Sequence, residues 1–499
     1  MVLSRYTLKN IEQQGLIVPD ESVFELPERV LQFGTGASMR GLPDYFIDKA
    51  NRQGLFNGRI VGVKLNGQGD SAAFEKQDGL YTVCVRGWED GVRVEENIIN
   101  SSISRVLSAA DEWEQVLECA HSHSMQVILS NTTELGIQLV NEDIRRRPPV
   151  SFPGKLLAFL YERFRAFDGS AKSGMVIVPT ELIPDNGKLL ESIVLELAHL
   201  NGLEEEFMEW LETHNHFCNS LVDRIVTNEP GGEMQSVLEN EFGYSDQLLT
   251  LSEVRRFWAI EGSEEVRQVL SFAAADTNVV IEPDITGYME LKLRLLNGTH
   301  TLCCGLAFLA GFDTVQQAME EKGMEAFISG LMLDELVPAL PYNINAGEAG
   351  AFGKNVLDRF RNPHVQHHWK DICKQYTSKM KTRNIPVLLA HYKKFQSVPE
   401  RLALGFAAYL LYTRPVRQEG GRSYGQCKDR EYLLNDKMAG AVMKSWNNLA
   451  PHKFVREVLS NTSLWGEDLA ALPGFCESVS RKLELLMREG ARNVIHQFT

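Results

Sequence analysis

The sequence predicts an α/β domain built on a doubly wound parallel sheet, followed by a mainly helical C-terminal domain. At 499 residues the chain is too long for one ordinary hydrophobic core, and its 44% of apolar residues can fill two. In the first half, short β-branched runs alternate with helical stretches. After about residue 280, apolar residues recur every three or four positions, which is typical of helices. We therefore expect domains at residues 1–280 and 281–499.

The predicted strands of the first domain are short apolar runs. Two of them, residues 29–33 and 59–63, are rich in β-branched side chains. Two more, residues 126–129 and 175–178, are nearly continuous in apolar residues, as expected of strands that helices cover on both faces. Strands that alternate with helices are typical of parallel α/β sheets, so this half predicts a doubly wound sheet.

The second domain shows helical spacing in four stretches. They are residues 291–312, 315–331, 364–380 and 401–411. The polar, glycine-rich segment at residues 413–425 follows the last of them and predicts an exposed loop.

Composition excludes several classes of function. The 51 basic and 66 acidic side chains give a net charge of −15, which repels nucleic-acid phosphates. The first residues lack the apolar segment of a signal peptide, and no run reaches the roughly 18 to 20 apolar residues that span a bilayer. The eight cysteines lack the spacing of zinc or redox motifs. We expect a cytoplasmic protein with reduced thiols that binds neither nucleic acid nor membrane.

A glycine-rich turn follows the first predicted strand. Phe33 ends that strand, and Gly34 and Gly36 allow a tight turn and the close approach of a pyrophosphate. Met39 stands where a third glycine is usual, so an ordinary turn between strand and helix is the alternative. We identify Phe33, Gly34 and Gly36 as candidate dinucleotide contacts of a Rossmann-like domain.

Polar residues follow two later strands, and open α/β sheets bind ligands at the carboxyl ends of their strands. Thr132 and Glu134 are candidates for contacting the nicotinamide ribose, although they could instead cap the next helix. Glu181 follows the strand at residues 175–178 and is a candidate substrate contact, with a surface salt bridge as the alternative. The second strand ends at Lys64 without the acid that favours NAD, so NADP stays open.

The strongest pattern lies in the second domain, where Lys292, Asn297 and His300 share a leucine-rich helix. At about 100° per residue, Asn297 lies about 140° and His300 about 80° from Lys292, so all three fit one broad face over about 12 Å. They could then meet around one substrate carbon. A structural helix with an exposed lysine is the alternative explanation of the same residues.

This spacing of lysine, asparagine and histidine is the signature of the polyol-specific long-chain dehydrogenases, the mannitol dehydrogenase family, which the chain resembles. The resemblance extends to Arg40 in the glycine turn and to residues 133–134, 219–225 and 359–363. It implies a metal-independent oxidoreductase of small sugar-like molecules that uses NAD, with Arg40 among the cofactor contacts.

The resemblance also implies roles for the three helical residues. Protonated Lys292 would give its proton to a carbonyl oxygen while hydride reaches the carbonyl carbon. Asn297 would donate a hydrogen bond to the same oxygen as charge develops on it. His300 would fix a neighbouring hydroxyl group or orient the lysine.

Within the family, four segments are most similar to the branch that reduces tagaturonate to altronate: residues 77–82, 130–134, 181–183 and 359–363. Mannitol and fructuronate enzymes usually carry an asparagine where Glu181 stands. We therefore expect Glu181 to bind substrate and to keep Lys292 protonated. Fructuronate reduction and mannitol-type polyol oxidation are the alternatives within the family.

A sugar-acid substrate carries a carboxylate, which the planar fork of arginine recognises better than lysine does. Arg359 and Arg361 are the candidates for this contact. The alternative is that each forms a structural ion pair, because Asp358 is adjacent.

Two functions from other classes stay open. The spacing of His364, His367 and His368 could place two imidazoles on one helical face for a divalent metal, as in a metal-dependent sugar isomerase. A catalytically inactive dinucleotide sensor would keep the fold of the first domain. The complete set of lysine, asparagine and histidine argues against that second alternative.

Overall fold

The computed structural model describes residues 1–499 apart from ten short segments. These are residues 12–14, 66–70, 90–91, 133–135, 228–231, 343, 363–366, 428–429, 447–449 and 499. The chain forms two compact units, Met1–Ile285 and Thr286–Thr499.

The first unit is built around a six-stranded parallel sheet. Its strands, in spatial order, are Ile103–Ser108, Arg59–Lys64, Glu28–Phe33, Val127–Ser130, Val176–Pro179 and His216–Phe217. Counted along the chain within this sheet, the order is 3-2-1-4-5-6, and all neighbours are parallel. This is the doubly wound order, so the predicted fold class is confirmed. The order reverses between Glu28–Phe33 and Val127–Ser130, where sheets of this kind bind ligands.

Both faces of this sheet are covered, because alternate strand residues belong to different cores. Val30 packs in a cluster with Phe46 on one face. The next residue, Leu31, packs in a cluster with Phe152 on the other face. Burial on both faces explains why nearly continuous apolar runs predicted these strands.

Helices and two smaller sheets complete the first unit. The α-helices are Arg5–Leu8, Ala37–Gly41, Pro43–Arg52, Ser71–Lys76, Trp113–Glu118, Phe152–Ala166, Asn186–Leu200, Glu205–His214, Gly232–Phe242 and Glu264–Val269. One sheet contains Leu16–Ile17, Val92–Asn100, Tyr81–Glu89, Thr250–Glu253 and Val226–Thr227, and the other contains Ser220–Asp223, Phe257–Glu261 and Val279–Glu282. The sequence analysis missed both sheets because their strands mix polar and apolar residues.

The second unit is mainly helical, as predicted. Its α-helices are Thr286–Leu291, Gly298–Ala310, Val315–Glu320, Lys322–Gly330, Ala346–Phe360, Trp369–Ile372, Tyr376–Lys379, Ile385–Phe395, Glu400–Tyr412, Gly440–Ser445, Pro451–Leu459, Thr462–Trp465, Phe475–Glu489 and Ala491–Ile495. Three π-helical turns interrupt them: Lys292–Asn297, Leu331–Leu336 and Met380–Asn384. None of the described helices is long and apolar enough to cross a membrane.

The centre of the second unit is the close crossing of helices Gly298–Ala310 and Glu400–Tyr412. A Cβ atom on Gly405 would lie 2.7 Å from the carbonyl oxygen of Leu302, so only glycine permits this approach. The first of these helices is almost wholly buried. It therefore forms a fixed base for the residues at its N-terminal end.

Two predictions for this unit are wrong in detail. Residues 414–424 are exposed or half-buried, but the segment at 413–425 is not simply a loop, because Arg417–Glu419 pairs with Arg422–Cys427 in an antiparallel hairpin. Gly420 and Gly421 have φ angles of +56° and +74°, which suit the two central residues of such a turn. The helix predicted at 364–380 is broken, since Gln375 adopts a φ of 52° between two short helices.

Candidate active site

The glycine turn lies at the strand reversal, directly after Glu28–Phe33. Gly34 has a φ of +117°, and a Cβ atom there would lie 2.8 Å from the backbone oxygen of Asn131. The N–H of Gly34 donates to the carbonyl oxygen of Val63, 2.9 Å away. Glycine at this position therefore lets three strand ends meet in one narrow turn.

Gly36 precedes the short helix Ala37–Gly41 and leaves the space beside the turn open. No described atom lies within 4 Å of the position that a Cβ on Gly36 would take. Phe33 is fully buried, with its ring centroid 5.2 Å from that of Phe152, so its side chain belongs to the core. The open glycine fits the close approach of a dinucleotide pyrophosphate, and the contact itself stays a prediction.

Arg40 is buried behind the glycine turn. Its Nη1 donates to the carbonyl oxygen of Thr35 at 2.8 Å, and its Nε donates to Oγ1 of Thr250 at 3.0 Å. The guanidinium also lies over the ring of Tyr81, 5.7 Å from the centroid. These contacts hold the turn in place, and direct contact between Arg40 and a cofactor stays a prediction.

Glu181 joins two strand ends and is only 3% exposed. Its Oε1 accepts hydrogen bonds from the N–H of Thr132 at 2.8 Å and from Oγ1 of Thr132 at 2.9 Å, and its Oε2 accepts from Oγ of Ser130 at 3.0 Å. Burial raises the pKa of the Glu181 carboxyl, whereas these hydrogen bonds act to lower it. The alternative of a surface salt bridge is therefore wrong. Thr132 is fixed at the strand end, and Glu134 lies outside the described residues.

Lys292 and Asn297 are the first and last residues of a π-helical turn between two α-helices. The N–H of Gly298 bonds to the carbonyl oxygen of Leu293, five residues back. The prediction of regular α-helical spacing is wrong here. Because π-helical bonds join residues five apart, Lys292 and Asn297 lie one turn apart on the same side of the helix. π-Helical turns are frequent at functional sites.

A second π-helical turn, Met380–Asn384, is hydrogen-bonded to the first. Nη1 of Arg383 donates to the carbonyl oxygen of Asn297 at 3.4 Å and to Oγ1 of Thr301 at 3.1 Å. The hydroxyl of Thr301 donates to the same oxygen of Asn297 at 2.8 Å. Arg383 is therefore fixed beside the helix that carries the predicted catalytic residues.

Further bonds link the two turns in both directions. Nη1 of Arg294 donates to the carbonyl oxygen of Arg383 at 3.0 Å, while Glu290 binds the same guanidinium through both carboxylate oxygens at 2.8 and 3.0 Å. Nδ2 of Asn384 donates to the carbonyl oxygen of Gly298 at 3.0 Å. These hydrogen bonds fix the backbone of the first π-helical turn, which carries Lys292 and Asn297, against the second π-helical turn.

His300 is 7% exposed and packs among other rings. Its ring stacks on Phe360, with centroids 4.2 Å apart, and meets the edge of His367 at 4.9 Å. Its Nε2 is buried and has no hydrogen-bond partner among the described residues. Burial, His367, and the charges of Arg359 and Arg383 hold the pKa of His300 well below its usual value. The imidazole is therefore neutral near pH 7, and Nε2 can bond to a ligand.

The two arginines predicted to bind a carboxylate have different surroundings. Arg359 is half-buried, and its charge acts on His300. Arg361 is exposed and forms ion pairs with Glu325 at 2.7 Å and with Asp358 at 2.9 Å. Arg361 therefore forms the structural ion pair that was the alternative to binding a carboxylate. Substrate binding by either arginine stays a prediction.

Sequence analysis did not identify Arg383 as a site residue. It lies 86 residues beyond Asn297, and no local pattern at residues 380–384 marks the π-helical turn that brings the two together. The guanidinium of Arg383 comes near the neutral ring of His300 only through the packing of the helices, which the sequence does not show.

The histidines considered as metal ligands take other positions. His367 meets the ring of His300, and the backbone of His368 pairs with Thr314. His364 lies outside the described residues. In the part of the chain that the structure describes, no group of three or more His, Cys, Asp or Glu residues is placed to hold a metal ion.

Comparison with known families gives two matches that cover most of the chain. The mannitol dehydrogenase Rossmann domain matches residues 28–272, and the mannitol dehydrogenase C-terminal domain matches residues 284–487. An altronate oxidoreductase of Halalkalibacterium halodurans is 36% identical over 480 residues, which are 94% of this chain and 93% of the relative. An altronate oxidoreductase of Bacillus subtilis is 36% identical over 481 residues, 95% of this chain and 96% of the relative.

Two solved structures are similar over the whole chain. Mannitol 2-dehydrogenase of Pseudomonas fluorescens, in a ternary complex with NAD and D-mannitol, has a TM-score of 0.72 at 22% identity, covering 100% of this chain and 99% of that one. A substrate-free D-sorbitol dehydrogenase has a TM-score of 0.78 at 19% identity, and the match covers 99% of this chain and 100% of that chain. At these identities the two structures support the fold alone.

Proposed function

The chain belongs to the mannitol dehydrogenase family of oxidoreductases, and we propose from this premise that it interconverts tagaturonate and altronate with a nicotinamide cofactor. The relatives named altronate oxidoreductase are 36% identical and match more than nine tenths of this chain. The observation that carries the proposal is the complete set of Lys292, Asn297 and His300 on a braced helix, with the guanidinium of Arg383 beside it. This arrangement supports carbonyl chemistry on a substrate that bears a negative charge.

The proposed proton transfer uses Lys292 and Asn297. In the direction of reduction, the ammonium group of Lys292 gives its proton to the substrate carbonyl oxygen, and in oxidation the amine takes that proton back. The amide of Asn297 donates a hydrogen bond to the same oxygen, whose negative charge grows in the transition state. The bound nicotinamide supplies the hydride for reduction and accepts it in oxidation.

His300 has a separate part in the proposal. Because its ring is neutral and its Nε2 is buried without a described partner, the nitrogen can bond to a substrate hydroxyl next to the carbonyl. Stacking on Phe360 fixes the plane of the ring and so the direction of that bond. A polyhydroxyl chain held in this way keeps one carbonyl carbon in the reacting position.

NAD is proposed as the cofactor, held by the glycine turn at Gly34 and Gly36 and by the strand end at Thr132. The narrow turn at Gly34 and the open position at Gly36 support a dinucleotide there. Lys64 stands at the end of the second strand in place of an acid, so steady-state kinetics with both cofactors are needed. Higher kcat/KM with NADPH than with NADH would overturn the preference.

The activity is tested by adding tagaturonate to the purified protein and NADH, with and without a chelator. We expect NADH oxidation at the same rate in both samples, and altronate as the product. Fructuronate and fructose serve as parallel substrates, since they represent the other branches of the family. Absence of NADH oxidation with every keto acid would overturn the proposed function.

A further inference from the structure

His367 lies beside the proposed site and has no part in the chemistry described so far. Its ring is nearly perpendicular to the ring of His300, at 82°, and the two centroids are 4.9 Å apart. His367 is half-buried, whereas His300 is almost wholly buried. In the part of the chain that the structure describes, neither ring nitrogen of His367 has a hydrogen-bond partner. These nitrogens can therefore bond to a ligand that reaches His300.

The backbone around His367 is fixed by bonds to a neighbouring segment. The N–H of Val315 donates to the carbonyl oxygen of His367 at 2.9 Å, and the N–H of Trp369 donates to the carbonyl oxygen of Asp313 at 3.0 Å. Trp369 is fully buried and begins the short helix Trp369–Ile372. The imidazole of His367 thus stands on a fixed backbone, as a side chain that positions a ligand requires.

The protonation state of His367 suits a hydroxyl ligand. Burial lowers the pKa of His367, and Asp371 acts against this shift. The charges of Lys379 and Arg359 act with burial. The ring is therefore neutral near pH 7, as is the ring of His300. A neutral imidazole has one nitrogen that donates and one that accepts, and a hydroxyl group can also do both.

We propose that His367 binds the substrate through the hydroxyl group next along the chain from the hydroxyl held by His300. The inference rests on the proposed function and adds a residue that selects a polyhydroxyl chain. The carbon chain of tagaturonate is longer than the 4.9 Å between the two ring centroids, so one chain can bond to both imidazoles. The second bond stops rotation of the chain about the first and keeps one carbonyl carbon in the reacting position.

The chemistry of the substrate fixes which hydroxyl this is. On one side of the carbonyl carbon the chain of tagaturonate ends after a single hydroxymethyl group. Only the side that leads to the carboxylate offers successive carbons that each bear a hydroxyl. The hydroxyl assigned to His367 is therefore the one on the second carbon from the carbonyl carbon, counted toward the carboxylate.

Two substitutions separate binding by His367 from packing against His300. His367→Phe keeps an aromatic edge against His300 and removes both nitrogens, whereas His367→Gln keeps a hydrogen-bonding group and removes the ring. We expect His367→Phe to raise KM for tagaturonate roughly threefold to tenfold, as for the loss of one neutral hydrogen bond. The fall in kcat should be smaller, because the bond is present before and during the reaction. His367→Gln should recover part of the affinity. A near-normal KM in His367→Phe, with a raised KM in His367→Gln, would show a packing role and overturn the inference.

A substrate analogue tests the assigned hydroxyl itself. The analogue is tagaturonate with a hydrogen in place of the hydroxyl on the second carbon from the carbonyl carbon. Wild type should show a raised KM for it, and His367→Phe should raise that KM no further, because the bond is already absent. If the substitution raised KM by the same factor for both substrates, His367 would not bind this hydroxyl and the inference would be overturned.

Direct binding gives a readout that does not depend on turnover. Calorimetry with altronate in the presence of NAD should show the same loss of affinity in His367→Phe. His368→Phe is the matched control, since His368 is also half-buried and its backbone pairs with Thr314. An equal loss of affinity in the control would overturn the inference.

Failure of the inference is distinguishable from failure of the proposed function. If wild type reduces tagaturonate and His367→Phe keeps its KM, His367 is not a substrate ligand and the proposed oxidoreductase activity stands. If wild type reduces no hexuronate-derived keto acid, the proposed function fails and the inference fails with it.

Discussion

The guanidinium of Arg383 donates to the carbonyl oxygen of Asn297, 3.4 Å away, and so connects two π-helical turns that are far apart in sequence. Arg294 makes the opposite connection, from the first turn to the carbonyl oxygen of Arg383. A functional residue needs its supporting shell to hold it within a fraction of an ångström. We conclude that hydrogen bonds between the two π-helical turns fix the backbone at Lys292 and Asn297.

Lys292→Ala is expected to keep cofactor binding and to lose turnover. Removing a general acid typically costs a factor of about 10² to 10⁴ in rate, whereas the dinucleotide contacts proposed here lie in the first unit. NADH fluorescence titration and steady-state rates in both directions measure the two effects separately. Near-normal turnover at neutral and low pH would show that Lys292 is not the acid. Lys381→Met controls for loss of one positive charge in the same unit.

Gly36→Ala is expected to fold normally and to bind NADH roughly tenfold more weakly, which corresponds to about 1.4 kcal/mol. A Cβ atom at this position meets no described atom of the protein within 4 Å, so it would obstruct only a bound ligand. Melting temperature and NADH affinity are the measurements. Gly350→Ala is the matched control, because it also has open space around it but lies in a helix of the second unit. Unchanged affinity in Gly36→Ala would remove this turn from the cofactor site.

Substitutions at Glu181 separate its structural bonds from its charge. Glu181→Leu removes the acceptor of the buried Ser130 hydroxyl and of the half-buried Thr132 donors, and a buried donor left unsatisfied costs about 1 to 3 kcal/mol. We therefore expect a lower melting temperature and weaker NADH binding. Glu181→Gln keeps an oxygen for the Thr132 N–H and should stay folded.

The same glutamine variant examines the predicted influence of the Glu181 charge on the proton donor, which stays a prediction. Its pH–rate profiles, measured in both directions, should show weaker reduction at neutral pH and little change in oxidation at alkaline pH. Profiles identical to those of wild type would refute an electrostatic role for Glu181. Glu181→Leu cannot replace this measurement, because it perturbs the strand ends as well.

His300 makes stability depend on pH in a defined direction. Its pKa is held well below the value of about 6.5 that it has in the unfolded chain. Below pH 6.5 the unfolded state therefore binds more protons than the folded state, and stability falls as pH drops. We expect the melting temperature of wild type to decline between pH 7 and pH 5 more steeply than that of His300→Gln. Parallel curves for the two proteins would contradict the buried, neutral state of His300.

The parts of the fold that could be predicted are those in which buried positions give a regular pattern of apolar residues along the chain. Strands such as Val127–Ser130 are buried on both faces, so their apolar runs were sufficient evidence. The hairpin at Arg417–Glu419 and Arg422–Cys427 was missed because neither strand has an apolar face, and its turn depends on two glycines with positive φ.

The candidate site was predicted only in part, for a related reason. Lys292, Asn297 and His300 are close in sequence, so their spacing was visible, although the π-helical turn changes their angular relation. Arg383 and Phe360 reach the same helix from distant segments, and nothing in the sequence near residue 297 indicates them. Side-chain partners that depend on helix packing cannot be identified from local periodicity.

Transfer of deuterium to tagaturonate, from NADH that carries deuterium at both hydrogen positions of the nicotinamide C4, tests the central claim most directly. The proposal predicts altronate that carries one deuterium at the former carbonyl carbon, in equal amount to the NAD formed, and loss of this product in Lys292→Ala. Mass spectrometry and proton NMR identify both the product and the labelled position. If wild type converted none of the tagaturonate, or formed altronate without deuterium, the result would contradict the account.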